Sequence, residues 1–263
     1  MLLLIDAGNT RVKWALVPSG EHDPAELGRW AACGMVEHAQ LLGLADAWRG
    51  QHIVRVLISN VAGQAMRDAL EQVLLRALGM QPVPLEWFCS AATLGGVRNN
   101  YRNPTQLGCD RFASAIGAHA LYPDQALIVA TCGTATTVDA IAADGVFLGG
   151  MILPGLGLMA SSLAKNTAQL PQVAQGLDVS DPFADNTDAA IASGCIAAQI
   201  GAIERALAAH ARRSGRDVQC ILSGGAAALI APHLAASHHK VDNLVLIGLH
   251  QVAISTARHN TSC

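Results

Sequence analysis

Three short apolar runs, each ending in a glycine-rich turn, constrain the fold of this chain more than any other feature. The runs and their turns are residues 2–5 before Asp6-Ala7-Gly8-Asn9-Thr10, residues 126–131 before Cys132-Gly133-Thr134, and residues 219–222 before Ser223-Gly224-Gly225. Apolar runs of this length bounded by turn residues predict buried strands. We therefore expect sheets whose strands end in turns with free backbone N–H groups.

The order of elements after the first turn is repeated after the second. Residues 11–16 alternate polar and apolar, which predicts a strand returning in a hairpin, and residues 135–139 are expected to do the same. A third strand follows in each half, at 27–33 and at 146–152. A repeat of this order indicates a duplication. The predicted fold is α/β, with mixed sheets flanked by helices and a ligand cleft between two halves.

The other predicted elements follow from the spacing of apolar residues. Further strands are expected at 54–59, 85–88 and 244–247, helices at 36–48, 62–78, 110–121, 154–169 and 188–214, a terminal helix after 247, and a polar loop at 95–107. The division expected from this order is a first domain at 1–122 and a second at 123–263.

Composition excludes several classes of protein. The chain is 51% hydrophobic and 14% charged, the opposite of a disordered composition. A net charge of −3 argues against a nucleic-acid-binding protein, which normally carries a basic excess. The seven cysteines contain no Cys-x-x-Cys pair, so no zinc site is indicated. The apolar N-terminus stops at Asp6, and we predict no membrane span and a cytoplasmic location.

The first turn carries groups suited to phosphate. Gly8, Asn9 and Thr10 offer backbone N–H groups and a hydroxyl, and Lys13 follows on the returning strand. Asp6 could hold Mg²⁺ through water, or it could simply accept hydrogen bonds from the turn. The chain has neither a P-loop motif nor Gly-x-Gly-x-x-Gly after a strand, which disfavours those two nucleotide folds.

A second candidate site is the segment Gly108-Cys109-Asp110-Arg111, which opens a predicted helix. The first turn of a helix attracts anions, and Arg111 can bind a carboxylate with two hydrogen bonds. Asp110 has two open interpretations. It could cap the helix, or it could accept the proton of a substrate hydroxyl.

Taken together and in order, these motifs resemble the type III pantothenate kinase family. The residues that carry the resemblance are Asp6-x-Gly8-Asn9-Thr10-x-x-Lys13, Gly108-x-Asp110-Arg111, Gly133-Thr134-Ala135-Thr136-Thr137-x-Asp139, Gly149-Gly150, Pro154-Gly155, Thr167-Ala168-x-Leu170-Pro171, Asn186-Thr187, Ser193-Gly194 and Ser223-Gly224-Gly225. The resemblance implies duplicated ribonuclease-H-like domains of the acetate-and-sugar-kinase/actin superfamily. It also implies ATP-dependent phosphorylation of pantothenate, the first step of coenzyme A synthesis, by a cytoplasmic homodimer.

The resemblance assigns roles to particular residues. The ATP-binding set would be Asp6, Ala7, Gly8, Asn9, Thr10, Arg11, Val12, Lys13 and Thr134. Pantothenate would be bound by Tyr101, Gly108, Cys109, Asp110, Arg111 and Thr187, with Asp110 as the catalytic proton acceptor and Asp6 as the Mg²⁺ ligand.

One position departs from the family pattern. The family usually has Asp two residues before the Gly of Gly-Thr-Ala, as a monovalent-cation ligand, and this chain has Thr131. A hydroxyl and a carbonyl can coordinate K⁺ or NH₄⁺ but supply no charge, so the resemblance leaves that cation site open.

Two alternative functions remain at this point. One is a related kinase of the same superfamily that acts on a sugar or a short acid. The other is a catalytically inert regulatory protein on the same scaffold, which the intact set of Asp6, Lys13 and Asp110 disfavours.

Overall fold

The structure is a computed structural model that describes residues 1–19, 26–79, 82–167 and 181–260. In chain order its strands are β1 (Leu2–Ala7), β2 (Arg11–Val17), β3 (Ala32–Glu37), β4 (Arg55–Asn60), β5 (Leu85–Trp87), β6 (Thr93–Leu94), β7 (Val97–Asn99), β8 (Ala126–Cys132), β9 (Ala135–Ile141), β10 (Val146–Pro154), β11 (Val218–Ser223) and β12 (His238–Lys240). Its α-helices are α1 (Leu44–Trp48), α2 (Gln64–Leu78), α3 (Cys109–Leu121), α4 (Leu156–Asn166), α5 (Thr187–Ser214), α6 (Ala227–Ile230) and α7 (Leu244–Asn260).

The chain forms two compact units. The first consists of Met1–Pro123 together with the chain from Asn243 onward, and the second of Asp124–Asp242. The expected division differs at the C-terminus, because α7 belongs to the first unit rather than to the second. In that unit α7 packs along α3 and also contacts β1 and β4.

The two units share one sheet topology. In the first unit the strand order is β3-β2-β1-β4-β5. Strand β2 is antiparallel to both β1 and β3, whereas β4 and β5 run parallel to β1. In the second unit the order β12-β11-β8-β9-β10 repeats this arrangement, with β8 in the place of β1. The predicted α/β class with a repeated order of strands is therefore confirmed.

Alternation along β1 sends its side chains to two layers of the first unit. Leu3, Ile5 and Ala7 join the core cluster that includes α1 and α2, where Trp14 and Trp48 meet edge to face with ring centroids 6.2 Å apart. Asp6 lies on the opposite face of the sheet with Leu2 and Leu4. Asp6, the candidate Mg²⁺ ligand, thus faces away from this core.

The final apolar segment was predicted wrongly. Residues 244–247, expected as a strand, form the first turn of α7. A Cβ on Gly117 of α3 would lie 2.7 Å from the Leu244 carbonyl oxygen, and a Cβ on Gly248 would lie closer still to the Ala113 carbonyl oxygen. These glycines let α3 and α7 approach closely. A short apolar run does not reveal this packing, which favours a helix over a strand at residues 244–247.

Several boundaries also differ from the prediction. The third strand, expected at 27–33, is β3 at Ala32–Glu37. The helix expected at 36–48 is a 3₁₀ turn, His38–Gly43, followed by the short α1. The loop expected at 95–107 contains β7 and a 3₁₀ turn at Pro104–Gln106. The end of the helix expected at 154–169, and Ala168, Leu170 and Pro171, lie outside the described residues.

Among the described helices, α5 is long and apolar enough to cross a membrane by length and composition alone, and 28% of its most apolar window is buried.

Candidate active site

Asp6 and Lys13 stand opposite each other in the first unit. They form a directly paired position of the β1–β2 ladder, so their side chains lie on the same face of the sheet. The turn between them is closed by a hydrogen bond in which the Gly8 N–H donates to the Arg11 carbonyl at 3.1 Å. The predicted phosphate turn therefore carries a carboxylate and an ammonium side by side.

The Asp6 carboxylate is electrostatically costly. The pKa of Asp6 is raised to about 7, mainly by burial. The positive charge of Lys13 lowers this pKa, and the negative charge of Asp110 adds to the rise. Geometry links Asp6 to the start of α3: Ser59 pairs with Asp6 in the β1–β4 ladder, and its Oγ lies 3.3 Å from the Sγ of Cys109, the residue before Asp110. The first unit thus brings together three of the residues that the sequence singled out.

Asp110 lies in the first turn of α3, and the capping interpretation is wrong as stated. Gly108 is the N-cap residue, and the Asp110 Oδ1 accepts a hydrogen bond from the Arg111 backbone N–H at 2.8 Å. Burial is the main cause of a raised pKa at Asp110, and that hydrogen bond opposes it. A Cβ on residue 108 would lie 2.7 Å from the Asp110 Oδ1, so glycine leaves the carboxylate its room.

The buried Arg111 and the half-buried Tyr101 form a polar pair. The Arg111 side chain is enclosed, and its Nη1 donates to the Tyr101 hydroxyl at 2.9 Å. The hydrogen bond fixes the guanidinium beside the first turn of α3. A fixed guanidinium at a helix N-terminus is suited to a carboxylate or an amide oxygen.

Cys109 connects the site to the end of β4. Its Sγ lies 3.3 Å from the Ser59 Oγ and 3.5 Å from the Asn60 carbonyl oxygen. Burial raises the pKa of this thiol, which keeps it protonated near neutral pH. Cys109 therefore acts as a packing and hydrogen-bonding residue, not as a nucleophile.

One contact of the phosphate turn was not foreseen. The His38 Nε2 lies 2.9 Å from the Gly8 carbonyl oxygen and holds the turn from the side of β3. No sequence signal marks His38, because it stood in a segment predicted as helix.

The second unit contains Thr131 and Thr134. Thr131 lies one residue before the end of β8, opposite Thr137 of β9, and within the described part of the chain neither buried hydroxyl oxygen has a hydrogen-bond partner. Thr134 lies in the following turn, where its carbonyl oxygen accepts a hydrogen bond from the Gly155 N–H at 2.9 Å.

Thr187 lies in the second unit as well, at the start of α5. There Asn186 caps the helix through its side-chain oxygen, which accepts from the Ala189 N–H at 3.0 Å. Thr187 lines a groove of about 620 Å³ between α4 and α5, whose other walls are mainly apolar. The groove also contains Gly194, another position of the family pattern.

The donor groups fit a magnesium ion that keeps much of its water shell. The described residues contain no group of three or more His, Cys, Asp or Glu side chains that could hold a metal alone. Mg²⁺ characteristically binds one or two carboxylates plus water and substrate phosphates. Asp6, a buried carboxylate that costs energy when ionised, suits that pattern.

Comparison with known proteins decides the family. Residues 2–209 match the family model described as type III pantothenate kinase. The chain belongs to the type III pantothenate kinase family. A type III pantothenate kinase of Janthinobacterium sp. (strain Marseille) is 64% identical over the full length of both chains, and one of Herminiimonas arsenicoxydans is 61% identical over 97% of this chain and 98% of its own.

Solved structures show the same fold at low sequence identity. A Campylobacter jejuni protein assigned to a Baf family of transcriptional activators is 17% identical with a TM-score of 0.60, covering 97% of this chain and 99% of its own. A Sinorhizobium meliloti protein assigned as a 2-dehydro-3-deoxygalactonokinase is 15% identical with a TM-score of 0.56 and the same coverage. These two likenesses show that the chain shares its overall α/β fold with both proteins.

The pKa of Asp6 generates a stability prediction. Its folded-state pKa of about 7 lies above the ordinary 3.8, so folding is penalised above pH 7 and the penalty disappears as the pH falls toward 4. Asp6→Asn removes the penalty and should increase the free energy of unfolding at pH 8 by roughly 2 kcal/mol. Thermal melts at pH 8 and pH 5, without Mg²⁺, measure this.

The control for this experiment is Asp68→Asn, which changes an exposed carboxylate on α2 and should alter the melting temperature little at either pH. A lower melting temperature for Asp6→Asn at pH 8 would mean that the ionised carboxylate stabilises the turn instead.

Proposed function

We propose that this chain transfers the γ-phosphoryl group of ATP to the primary hydroxyl of pantothenate, with Asp110 accepting the hydroxyl proton. The observation that carries the proposal is the grouping of Asp6, Lys13 and Asp110 in the first unit. Phosphoryl transfer needs alignment and charge neutralisation more than covalent chemistry from the protein. These three side chains, with Arg111 nearby, supply both.

Each residue has a distinct task. Lys13 and the N–H groups of the turn 6–13 bind ATP phosphates, while Asp6 holds Mg²⁺ through water. When held there, Mg²⁺ would supply positive charge that offsets the negative charge of the phosphates. Asp110 orients the pantothenate hydroxyl, and its raised pKa makes it a better proton acceptor than an exposed aspartate.

The substrate contacts are proposed on similar grounds. Arg111, held by Tyr101, binds the carboxylate or amide oxygens of pantothenate, and Gly108 and Cys109 shape the same helix start. In the second unit, Thr134 contacts ATP and Thr187 contacts pantothenate. These assignments rest on the family pattern and on the positions of the residues within each unit.

Asp110→Asn tests the role of Asp110. Asparagine keeps the shape but cannot accept a proton, so kcat should fall by about 10²- to 10⁴-fold while an ATP analogue still binds. Pantothenate-dependent ADP release gives the rate, and Asp68→Asn serves as the control with unchanged activity. A loss below tenfold would reduce Asp110 to a structural residue of the first turn of α3.

We also propose that any monovalent cation is bound weakly. The Thr131 and Thr137 hydroxyl oxygens are buried without partners in the described residues, so they suit a cation as neutral ligands. Without a carboxylate the main Coulomb attraction is missing. K⁺ or NH₄⁺ should therefore activate weakly or only at high concentration.

The initial rate against KCl tests this, with ionic strength held constant by a bulky organic cation. Thr131→Asp restores the charge and should strengthen the dependence on K⁺. Steep, saturable activation at low millimolar K⁺ in the unmodified protein would contradict the proposal.

The apolar surface of the second unit supports a homodimer. Leu158 and Leu163 of α4 and Ile152 of β10 are exposed, and most of the long α5 is not buried within the chain. A second copy covering this surface would explain it, since large exposed apolar patches mark association sites. Such a protein would act in the cytoplasm, with no membrane or nucleic-acid partner. Light scattering at micromolar concentration should give twice the chain mass, whereas a fully active monomer would contradict the dimer.

A further inference from the structure

We infer that Gln199 of α5 is a positioning residue for the turn that carries Thr134. The inference rests on the proposed function, in which Thr134 contacts ATP. All of its groups lie within the second unit. Gln199 is fully buried, an unusual place for a neutral amide in a helix that otherwise buries mainly small and apolar residues.

The amide of Gln199 is only partly satisfied. Its Nε2 donates to the Pro154 carbonyl oxygen at 2.8 Å and lies 3.1 Å from the Met159 Sδ. Within the described residues its Oε1 is buried without a hydrogen-bond partner. The unpaired Oε1 costs free energy and offsets part of what the Nε2 hydrogen bond to Pro154 contributes to stability. The net contribution of this amide to the stability of the fold is therefore small.

What the Gln199 side chain holds is the chain next to the proposed ATP contact. Pro154 pairs with Ala135 at the end of the β9–β10 ladder. The next residue, Gly155, donates its N–H to the Thr134 carbonyl oxygen at 2.9 Å, and a Cβ there would lie 2.7 Å from that same oxygen. Because Gly155 and Thr134 are in close contact, a shift of Pro154 also moves the turn that contains Thr134.

The other side of this turn is also fixed. Gly224, with φ of 93°, passes so close to Cys132 that a Cβ would lie 2.8 Å from its backbone nitrogen. The Ala226 N–H donates to the Cys132 carbonyl oxygen at 3.0 Å. These restraints come from backbone, whereas Gln199 contributes through its side chain and can be changed without altering the path of the main chain.

The consequence concerns ATP more than pantothenate. A turn held in place binds phosphate oxygens without first having to be ordered. Loss of one hydrogen bond, worth about 1 kcal/mol, corresponds to about a fivefold weaker binding of the ligand that needs the turn ordered. Pro154 and Met159 also line the groove that contains Thr187, whereas the hydrogen-bonded path from Gln199 leads through Pro154 and Gly155 to Thr134.

Gln199→Met is the test, since methionine has a similar shape and no donor. We expect the KM for ATP, and the Kd of a non-hydrolysable ATP analogue, to rise about fivefold. The KM for pantothenate should change less than twofold, and the melting temperature should stay level or rise. A merely structural role would lower the melting temperature and leave the two KM values in their original ratio.

His210→Leu is the matched control. His210 is also a buried polar residue of α5, with its Nε2 3.0 Å from the Ile141 carbonyl oxygen and its Nδ1 without a partner in the described residues. Its contact lies at the end of β9 away from Ala135. This variant should leave the KM for ATP unchanged.

Gly155→Ala changes the contact between Gly155 and the Thr134 turn directly. It provides a second test if Gln199→Met does not fold. It should also weaken binding of the ATP analogue, because its Cβ displaces the Thr134 turn. Unchanged analogue binding in the folded variants would overturn the inference, as would an equal effect of His210→Leu. Failure of the wild-type protein to phosphorylate pantothenate, with the analogue still bound, would count against the proposed function instead.

Discussion

The desolvated carboxylate of Asp6 is the constraint on which the rest of the site depends. A buried aspartate with a pKa near 7 would be better replaced by a neutral residue if stability alone mattered. Lys13 offsets part of the cost, and Asp110 adds to it. Such an arrangement becomes favourable when a cation and phosphate groups bind beside Asp6 and Lys13, as an ATP-dependent kinase requires.

The fold delivers these groups through its repeated sheet. In each unit the first strand lies between an antiparallel hairpin partner and a parallel neighbour, and it ends in the turn that leads into the hairpin partner. In the first unit this turn follows Asp6, and in the second unit it contains Thr134. Packing against α3 and α7 then fixes the first unit, with glycines allowing the two helices to touch.

Much of this could be predicted from the sequence because it is local. Gly-rich turns after apolar runs mark β1, β8 and β11, and the paired positions of Asp6 and Lys13 follow from a hairpin of that length. The N-terminus of α3 was found from its glycine and charged residues. The order of the family motifs added the reaction, and the similarity to known pantothenate kinases confirmed the family.

What the sequence missed depends on contacts between distant segments. Residues 244–247 look like a strand until α3 packs against them, and β12 is too short and polar to predict. His38 contacts the Gly8 carbonyl oxygen, and Gln199 contacts the Pro154 carbonyl oxygen and the Met159 sulfur. Contacts with backbone carbonyl groups leave no mark on the spacing or composition of the sequence. The sequence also did not reveal the exposed apolar side of α5, because that side consists largely of small residues.

The central claim is that the groups around Asp6 and Asp110 phosphorylate pantothenate. The most direct measurement incubates the purified protein with ATP, Mg²⁺ and pantothenate, and follows the products by ³¹P NMR. The account predicts ADP together with one new phosphomonoester signal on the primary hydroxyl of pantothenate, formed in equal amounts. ADP without that signal, or a phosphate ester formed only when a sugar or a short acid replaces pantothenate, would contradict it.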